Sequence, residues 1–247
     1  MPLALIILAV VVLLSVIAGR HAIQRASAAL SRAHQQAAPG GLTGREVAER
    51  YLREQGLTDV EVLTHRGVVT DYFDPRRRRL FLSKRVADQA TLAAWAVALH
   101  EAAHASQTGS ALGDLKWRQS CIRMCRYGPT LVALLLAVAT VMKVMPARIA
   151  ILAFGVLWVI FFLLNAGTLA IEWNATQRLR PFLDHLLQAH PHEREELDRA
   201  LATMATRELG DQLASPRYFF LSALPGTTTL RPRSVPEEKK DPKPNSH

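Results

Sequence analysis

Three apolar runs constrain this chain more than any other feature: Leu3 to Ala18, about Leu131 to Val144, and Ile149 to Leu169. Hydrophobic residues make up 49% of the 247 positions, yet they are concentrated in these runs and not spread at helix or strand period. That clustering is the pattern of a chain that meets a bilayer. A membrane-crossing helix needs about 20 apolar residues, with a lower bound of roughly 17. The third run meets this fully. The first is a residue or two short, and the second lies between Pro129 and Pro146 and contains Lys143, which must snorkel to the interface if the run spans. Met1-Pro2-Leu3 has no basic side chain and no small-x-small cleavage site precedes Arg20, so the first run reads as an uncleaved anchor and not a signal peptide.

The formal net charge of +9 would suggest nucleic acid if the basic residues formed one face interleaved with aromatics. They instead flank the apolar runs: Arg20, Arg25 and Arg32 follow the first, Arg118, Arg123 and Arg126 precede the second, and Arg178 and Arg180 follow the third. The positive-inside rule then places the amino terminus outside and residues 19 to 128 and 170 to 247 in the cytoplasm of a multi-pass cell-membrane protein. The partner expected from this charge is the lipid bilayer, with no nucleic acid. Cys121 and Cys125 give no disulfide framework. They are expected to be small buried apolar side chains, with palmitoylation or metal binding as alternatives.

Between the first and second runs the residues read as a small mixed domain. Ser27 to Gly41 is a helix tail and linker, Thr43 with Glu46 forms a capping box, and Val47, Tyr51 and Leu52 follow at helical spacing to Gly56. Val60 to Leu63, Val68 to Phe73 and Leu80 to Ser83 predict strands, the last two joined through the turn dipeptide Asp74-Pro75. A helix is expected from about Ala87 to Gln107, closed by Gly109. It carries His100-Glu101-Ala102-Ala103-His104, and the apolar stretch before His100 is too short to cross a bilayer.

On an α-helix, positions 100 and 104 lie about 40° apart, so both imidazoles project from one face and can share a zinc ion. Glu101 lies about 60° round from His104, where its carboxylate can take a proton from water at the metal as general base without ligating it. The nine His and the Glu of such a chain would produce this spacing by accident in about one chain in sixty. Catalytic zinc normally takes three protein ligands. No His-x-x-Gly-x-x-His extension follows His104, so the third must come from elsewhere. Glu172 is the best candidate, because a hairpin of the second and third runs returns it to the side of His104; apart from the zinc argument it would be an ordinary interfacial charge.

Several segments match a known family: Thr70-Asp71-Tyr72-Phe73-Asp74-Pro75, Leu82-Ser83, Ala98 to Gln107, Arg118, and Glu172-Trp173-Asn174-Ala175. On these residues the chain resembles the YugP-type neutral zinc metallopeptidases over roughly 42 to 180. The resemblance implies a zinc cofactor held by His100, His104 and Glu172, Glu101 as base, Asn174 behind the ligands at most, and a peptide or protein substrate. Residues 190 to 247 are polar where that family usually continues into apolar helices.

The resulting expectation is a mainly α membrane protein with about three transmembrane helices and a small α+β zincin-like domain. The parts are a 1–19 transmembrane anchor, a 20–41 juxtamembrane linker, a 42–128 zinc peptidase domain, a 129–170 transmembrane hairpin, 171–210 helices supplying the third ligand, and a 211–247 polar, disordered tail. The predicted function is peptide hydrolysis at the cytoplasmic membrane surface. The alternatives are an intramembrane protease, disfavoured because residues 131 to 169 contain no acidic residue, a zinc hydrolase of another substrate, or a non-catalytic adaptor. Arg76 to Arg79 read either as a grip for anionic lipid or acidic substrate or as a solvated turn, and Leu80 to Leu82 either as an edge strand for peptide or as core. Tyr72, His185 and Tyr218 are the candidates to stabilise an oxyanion.

Overall fold

The computed structural model describes residues 2–65, 70–107 and 110–222. In chain order the elements are α1 (Pro2–His34), α2 (Gly44–Glu54), β1 (Glu61–His65), β2 (Tyr72–Asp74), β3 (Arg79–Ser83), α3 (Lys84–Asp88), α4 (Leu92–Ala105), α5 (Ser110–Val141), α6 (Ala147–Arg178), α7 (Arg180–Leu186), α8 (Pro191–Arg207) and α9 (Ser215–Ser222), with a 3-10 segment Glu208–Ala214 between the last two. The expected Val68-Val69 part of a strand, the Gly109 stop and the tail from Pro225 lie outside the described residues.

The chain is mostly helical, and α1, α5 and α6 each contain a stretch long and apolar enough to cross a membrane. Their apolar side chains face outward: Leu13, Ile17, Leu135, Val138, Ile151 and Leu163 are all exposed. Such a surface is costly in water and at home in hydrocarbon. Polar links join two of these helices, with Trp158 Nε1 donating to Ser15 Oγ at 2.9 Å. Pro129 does not end the helix as its position suggests; α5 runs through it. A proline interrupts the local ladder of a helix, and here the next amide, Thr130 N–H, donates to Ser215 Oγ of α9 at 3.1 Å. Cys121 and Cys125 are buried free thiols, Cys125 donating to Phe161 O.

Helix α1 continues as one rod to His34, so the residues read as a linker begin with helix that buries Ala22, Ala26, Ala29 and Ala33. It packs against α8 and the 3-10 segment. The approach is so close that a Cβ on Gly210 would lie 2.3 Å from Ile23 and 2.8 Å from the Gly19 carbonyl. Helix α8, in the segment whose polar residues suggest a solvated helix, presents Leu197, Ala200, Leu201 and Met204 at positions i, i+3, i+4 and i+7 and buries that face.

The capping box forms as expected: Glu46 N–H donates to Thr43 Oγ1, and the Glu46 carboxylate accepts from Thr43 N–H. The sheet order is β1-β3-β2, with β3 parallel to β1 and antiparallel to β2. Leu80 to Leu82 therefore belong to the central strand and are core, not an edge open to peptide. The arginine run is only partly solvated. Arg78 donates to both carboxylate oxygens of Asp59 and to Ala105 O, and Arg79 pairs with Glu61 at 2.8 Å.

The expected helix from Ala87 is two helices. Gln89 and Thr91 are extended, and Thr91 Oγ1 accepts from Ala94 N–H to cap α4. Twelve of the fourteen residues of α4 are buried, and its alanines let α1, α2, α6 and α8 pack around it. A helix surrounded in this way is held by packing on every side.

Candidate metal centre

The last turns of α4 carry the reactive side chains, and their end is fixed by outside donors. The final carbonyls of a helix have no partner within it. Here Arg178 donates to Ser106 O at 2.7 Å and Arg78 to Ala105 O at 3.3 Å, while Ser106 Oγ donates to Ala103 O and accepts from Tyr51 Oη. Guanidinium groups at a helix carboxy terminus also complement its dipole.

His100, His104 and Glu172 come together across α4 and α6, offering ligand atoms that all lie within 4.8 Å of one another. All three are buried, at 3%, 1% and 0% exposure. Glu172 Oε2 lies 2.9 Å from His100 Nε2 and 3.6 Å from His104 Nε2. Ligands about 2.0 to 2.2 Å from a tetrahedral zinc stand roughly 3.3 to 3.6 Å apart, so these separations bracket that geometry. His104 Nε2 is buried without a hydrogen-bond partner. A buried lone pair left free is costly unless something binds it. The residues present thus fit a zinc ion.

The imidazole orientation is set by Gln107. Its Nε2 donates to Ile171 O at 2.9 Å and to Asn174 Oδ1 at 3.1 Å, which leaves Oε1 as the atom facing His104 Nδ1 at 2.9 Å. An amide oxygen can only accept, so Nδ1 carries the proton and Nε2 keeps its lone pair for a metal. The carboxylate is set by Arg118, which is 6% exposed. Its Nε donates to Glu172 Oε1, the oxygen turned away from the histidines, and its Nη2 donates to Glu208 Oε1 at 2.7 Å. Glu208 follows α8, so the carboxy-terminal segment contributes to this centre.

Glu101 lies on the same helix at 9% exposure, and among the described residues it makes no hydrogen bond. Asp71 is near enough to feel its charge. Burial pushes the Asp71 carboxyl above the usual range, and the Ser83 amide that it accepts offsets this in part. Burial likewise lowers His65 on the neighbouring strand.

Of the expected site residues, His100, Glu101, His104 and Glu172 are thus assembled at one place. Asn174 stands behind the ligands, holding Gln107 and accepting from Arg178 Nε at 2.9 Å. The others are engaged elsewhere: Tyr72 stacks on Phe81 with ring centroids 4.9 Å apart, His185 is exposed on α7, and Tyr218 lies under the Arg126 guanidinium. Sequence reasoning missed the roles of Gln107, Arg118 and Glu208. Gln107 had a local signal, since a residue at i+3 reaches a histidine on the same turn. Arg118 and Glu208 are 54 and 36 residues from Glu172, and no spacing pairs them.

A protein-family model described as "Putative neutral zinc metallopeptidase" matches residues 4–215. The polar segment from 190 to 215, which read as a departure from the family, therefore lies inside the matched region. Among curated proteins the chain is similar to "Putative membrane protease YugP" of Bacillus subtilis (strain 168), with 32% identity over 149 residues. That alignment covers 59% of this chain and 64% of the relative, less than two thirds of its length. No solved structure matches the chain.

Proposed function

This chain belongs to the neutral zinc metallopeptidase family, and from that premise we propose that it is a membrane-anchored zinc peptidase with a zincin-like domain working at the cytoplasmic membrane surface. The observation that carries the reading is the enclosure of His100, His104 and Glu172 around one point, with the buried Glu101 following His100 on the same helix. The proposed orientation puts the amino terminus outside and the centre inside, as the arginines flanking the spans suggest.

His100 Nε2, His104 Nε2 and Glu172 Oε2 would hold the zinc. A zinc ion bound there supplies Lewis acidity, polarising a carbonyl and lowering the pKa of water to about 7. Gln107 keeps His104 in the ligating tautomer, and Arg118 keeps one oxygen of Glu172 turned to the histidines. Glu101 is the residue left to move a proton. It accepts one from the attacking water and delivers it to the departing amine, which regenerates its carboxylate. Its lack of hydrogen bonds suits that part, because a base fixed by donors would be weakened.

The test separates holding from acting. Glu101→Gln should retain about one zinc per chain while turnover of an unstructured protein substrate falls by ~10² or more, the usual reach of general acid–base catalysis. A chelator should abolish turnover of the wild type. Full activity in Glu101→Gln would end this mechanism.

A further inference from the structure

Beside Glu172 on α6, about 100° round the helix, Trp173 opens onto a surface that holds none of the proposed zinc ligands. Trp173 is 47% exposed and stands between two open grooves. One, of about 470 Å³, runs between α1 and α8 and is lined by Arg25, Arg32, Trp173 and Thr203 among others. The other, of about 460 Å³, shares Trp173 and Thr206 with the first and reaches Leu169 and Ala170 at the end of the third apolar run. Arg199 also lines the first groove, but it is paired with both Glu195 and Glu196, a trio with one negative charge in excess, so the groove as a whole stays positive only through Arg25 and Arg32. Arg25 and Arg32 have no such compensation: among the described residues neither side chain forms a hydrogen bond or an ion pair.

The position along the helices matters as much as the charge. At 1.5 Å per residue an upright α1 that enters at Leu3 leaves a roughly 30 Å hydrocarbon layer near Ala22, so Arg25 lies about 4 Å and Arg32 about 15 Å beyond it, while Trp173 lies about 6 Å beyond Leu169. The headgroup layer is roughly 5 to 8 Å thick on each side of the hydrocarbon. If α1 and α6 span, Trp173 is at headgroup depth, where tryptophan is favoured, Arg25 lies in the same layer, and the Arg32 side chain, leaning toward the helix amino terminus, reaches back to its outer edge. Ala28 and Ala29 between the two arginines keep the floor of the groove low.

We propose that these two grooves bind one anionic phospholipid, its phosphate between Arg25 and Arg32 and an acyl chain passing Trp173 toward Leu169. A zwitterionic lipid has no net charge for two uncompensated guanidinium groups. A free anion would use the first groove and leave the second empty. The site rests on α1 and α6 spanning and contains no zinc ligand, though Asn174, which holds Gln107, also lines the second groove.

The test is tryptophan quenching of the full chain in detergent micelles doped with brominated phosphatidylglycerol or brominated phosphatidylcholine. The wild type should show excess quenching by the anionic lipid, and Trp173→Phe should remove that excess. Each basic residue near an anionic surface strengthens binding roughly fivefold, so Arg25→Gln with Arg32→Gln should raise the lipid fraction needed by about 25-fold. Arg20→Gln, an exposed arginine beside the same span but outside the groove, should cost no more than the roughly fivefold of one basic residue near an anionic surface. Equal quenching by both lipids, an Arg20→Gln loss as large as that of the double variant, or removal of the excess by millimolar inorganic phosphate would overturn the proposal. Unchanged circular dichroism of the variants keeps a folding defect from imitating the expected loss.

Discussion

Glu172 and Asp71 are carboxylates on either side of the segment His100 to His104, and the fold treats them in opposite ways. Glu172 is fully enclosed, and it is met by a buried guanidinium and two imidazoles. Asp71 is half-buried at the edge of a groove between α1 and α4, its hydrogen bond comes from the Ser83 amide, and among the described residues no cation is paired to it. A buried charge without a partner costs several kcal/mol, of order, and usually protonates instead. Full burial at Glu172 is therefore tolerable because Arg118 compensates it, and a bound dication would do so further. At Asp71 the same chemistry without a cation leaves the carboxyl raised. The difference teaches that burial alone does not mark a ligand; burial with compensating charge and with free lone pairs aimed at the same point does.

The comparison breaks most severely at Glu172 itself. Glu172→Ala should take zinc from about one per chain to near none and abolish turnover, read by metal analysis after dialysis, whereas Asp71→Ala should keep its zinc. Asp184 provides a second contrast, since it is exposed and paired with Arg194 at 2.6 Å, and Asp184→Ala should change neither quantity. Zinc retained in Glu172→Ala and lost in Asp71→Ala would reverse the assignment of the two sides.

A smaller effect is expected one step behind the ligand. Arg118→Met leaves the buried Glu172 and the half-buried Glu208 without their cation, and breaking a buried pair such as Arg118–Glu172 typically costs about 3 to 5 kcal/mol. Groups that orient a ligand usually alter metal affinity about 10- to 100-fold, so zinc should bind more weakly in that range, measured by competition with a chromogenic chelator. Arg118→Lys keeps the charge but not the two-armed reach to Glu172 and Glu208, and it should recover only part of the affinity. Wild-type affinity in Arg118→Met would show that Glu172 is positioned by helix packing alone.

These two levels differ in how far the sequence reveals them. The apolar runs, the Thr43–Glu46 capping box, the His100–His104 spacing and the position of Glu172 after a span are legible because each is encoded by local period or by a hydrophobic length. The order β1-β3-β2 is not, since parallel pairing of Glu61–His65 with Arg79–Ser83 depends on a crossover and leaves no short-range trace. The buried stripe of Leu197, Leu201 and Met204 on α8 is hard to see in the sequence because the charges of Glu193 to Glu196, Asp198 and Arg199 crowd its first turns. Arg118 gave even less warning. Before a span an arginine is ordinary, and only the tertiary approach of α5, α6 and the 3-10 segment turns it inward onto two carboxylates.

The smallest effect concerns Asp71 and pH, and it asks whether the uncompensated side of the comparison is electrostatically strained. With the folded carboxyl raised above its ordinary 3.8 by burial, the folded protein holds the proton more tightly than the unfolded chain does. Its contribution to stability is therefore present below the ordinary aspartate range and is lost as pH rises through the raised value. Asp71→Asn keeps an oxygen to accept the Ser83 N–H while removing the charge, so the variant should gain on the wild type as pH rises from acid toward neutral. Thermal unfolding of both proteins in detergent with chelator present, across that interval, reads the difference without a contribution from metal. A constant offset between the two would mean that Asp71 titrates alike in both states. A variant that loses ground as pH rises would mean that the charged form is stabilised after all, and then the charge of His65, or an arginine reaching across the groove such as Arg85, would have to be supplying the compensation that Arg118 gives to Glu172.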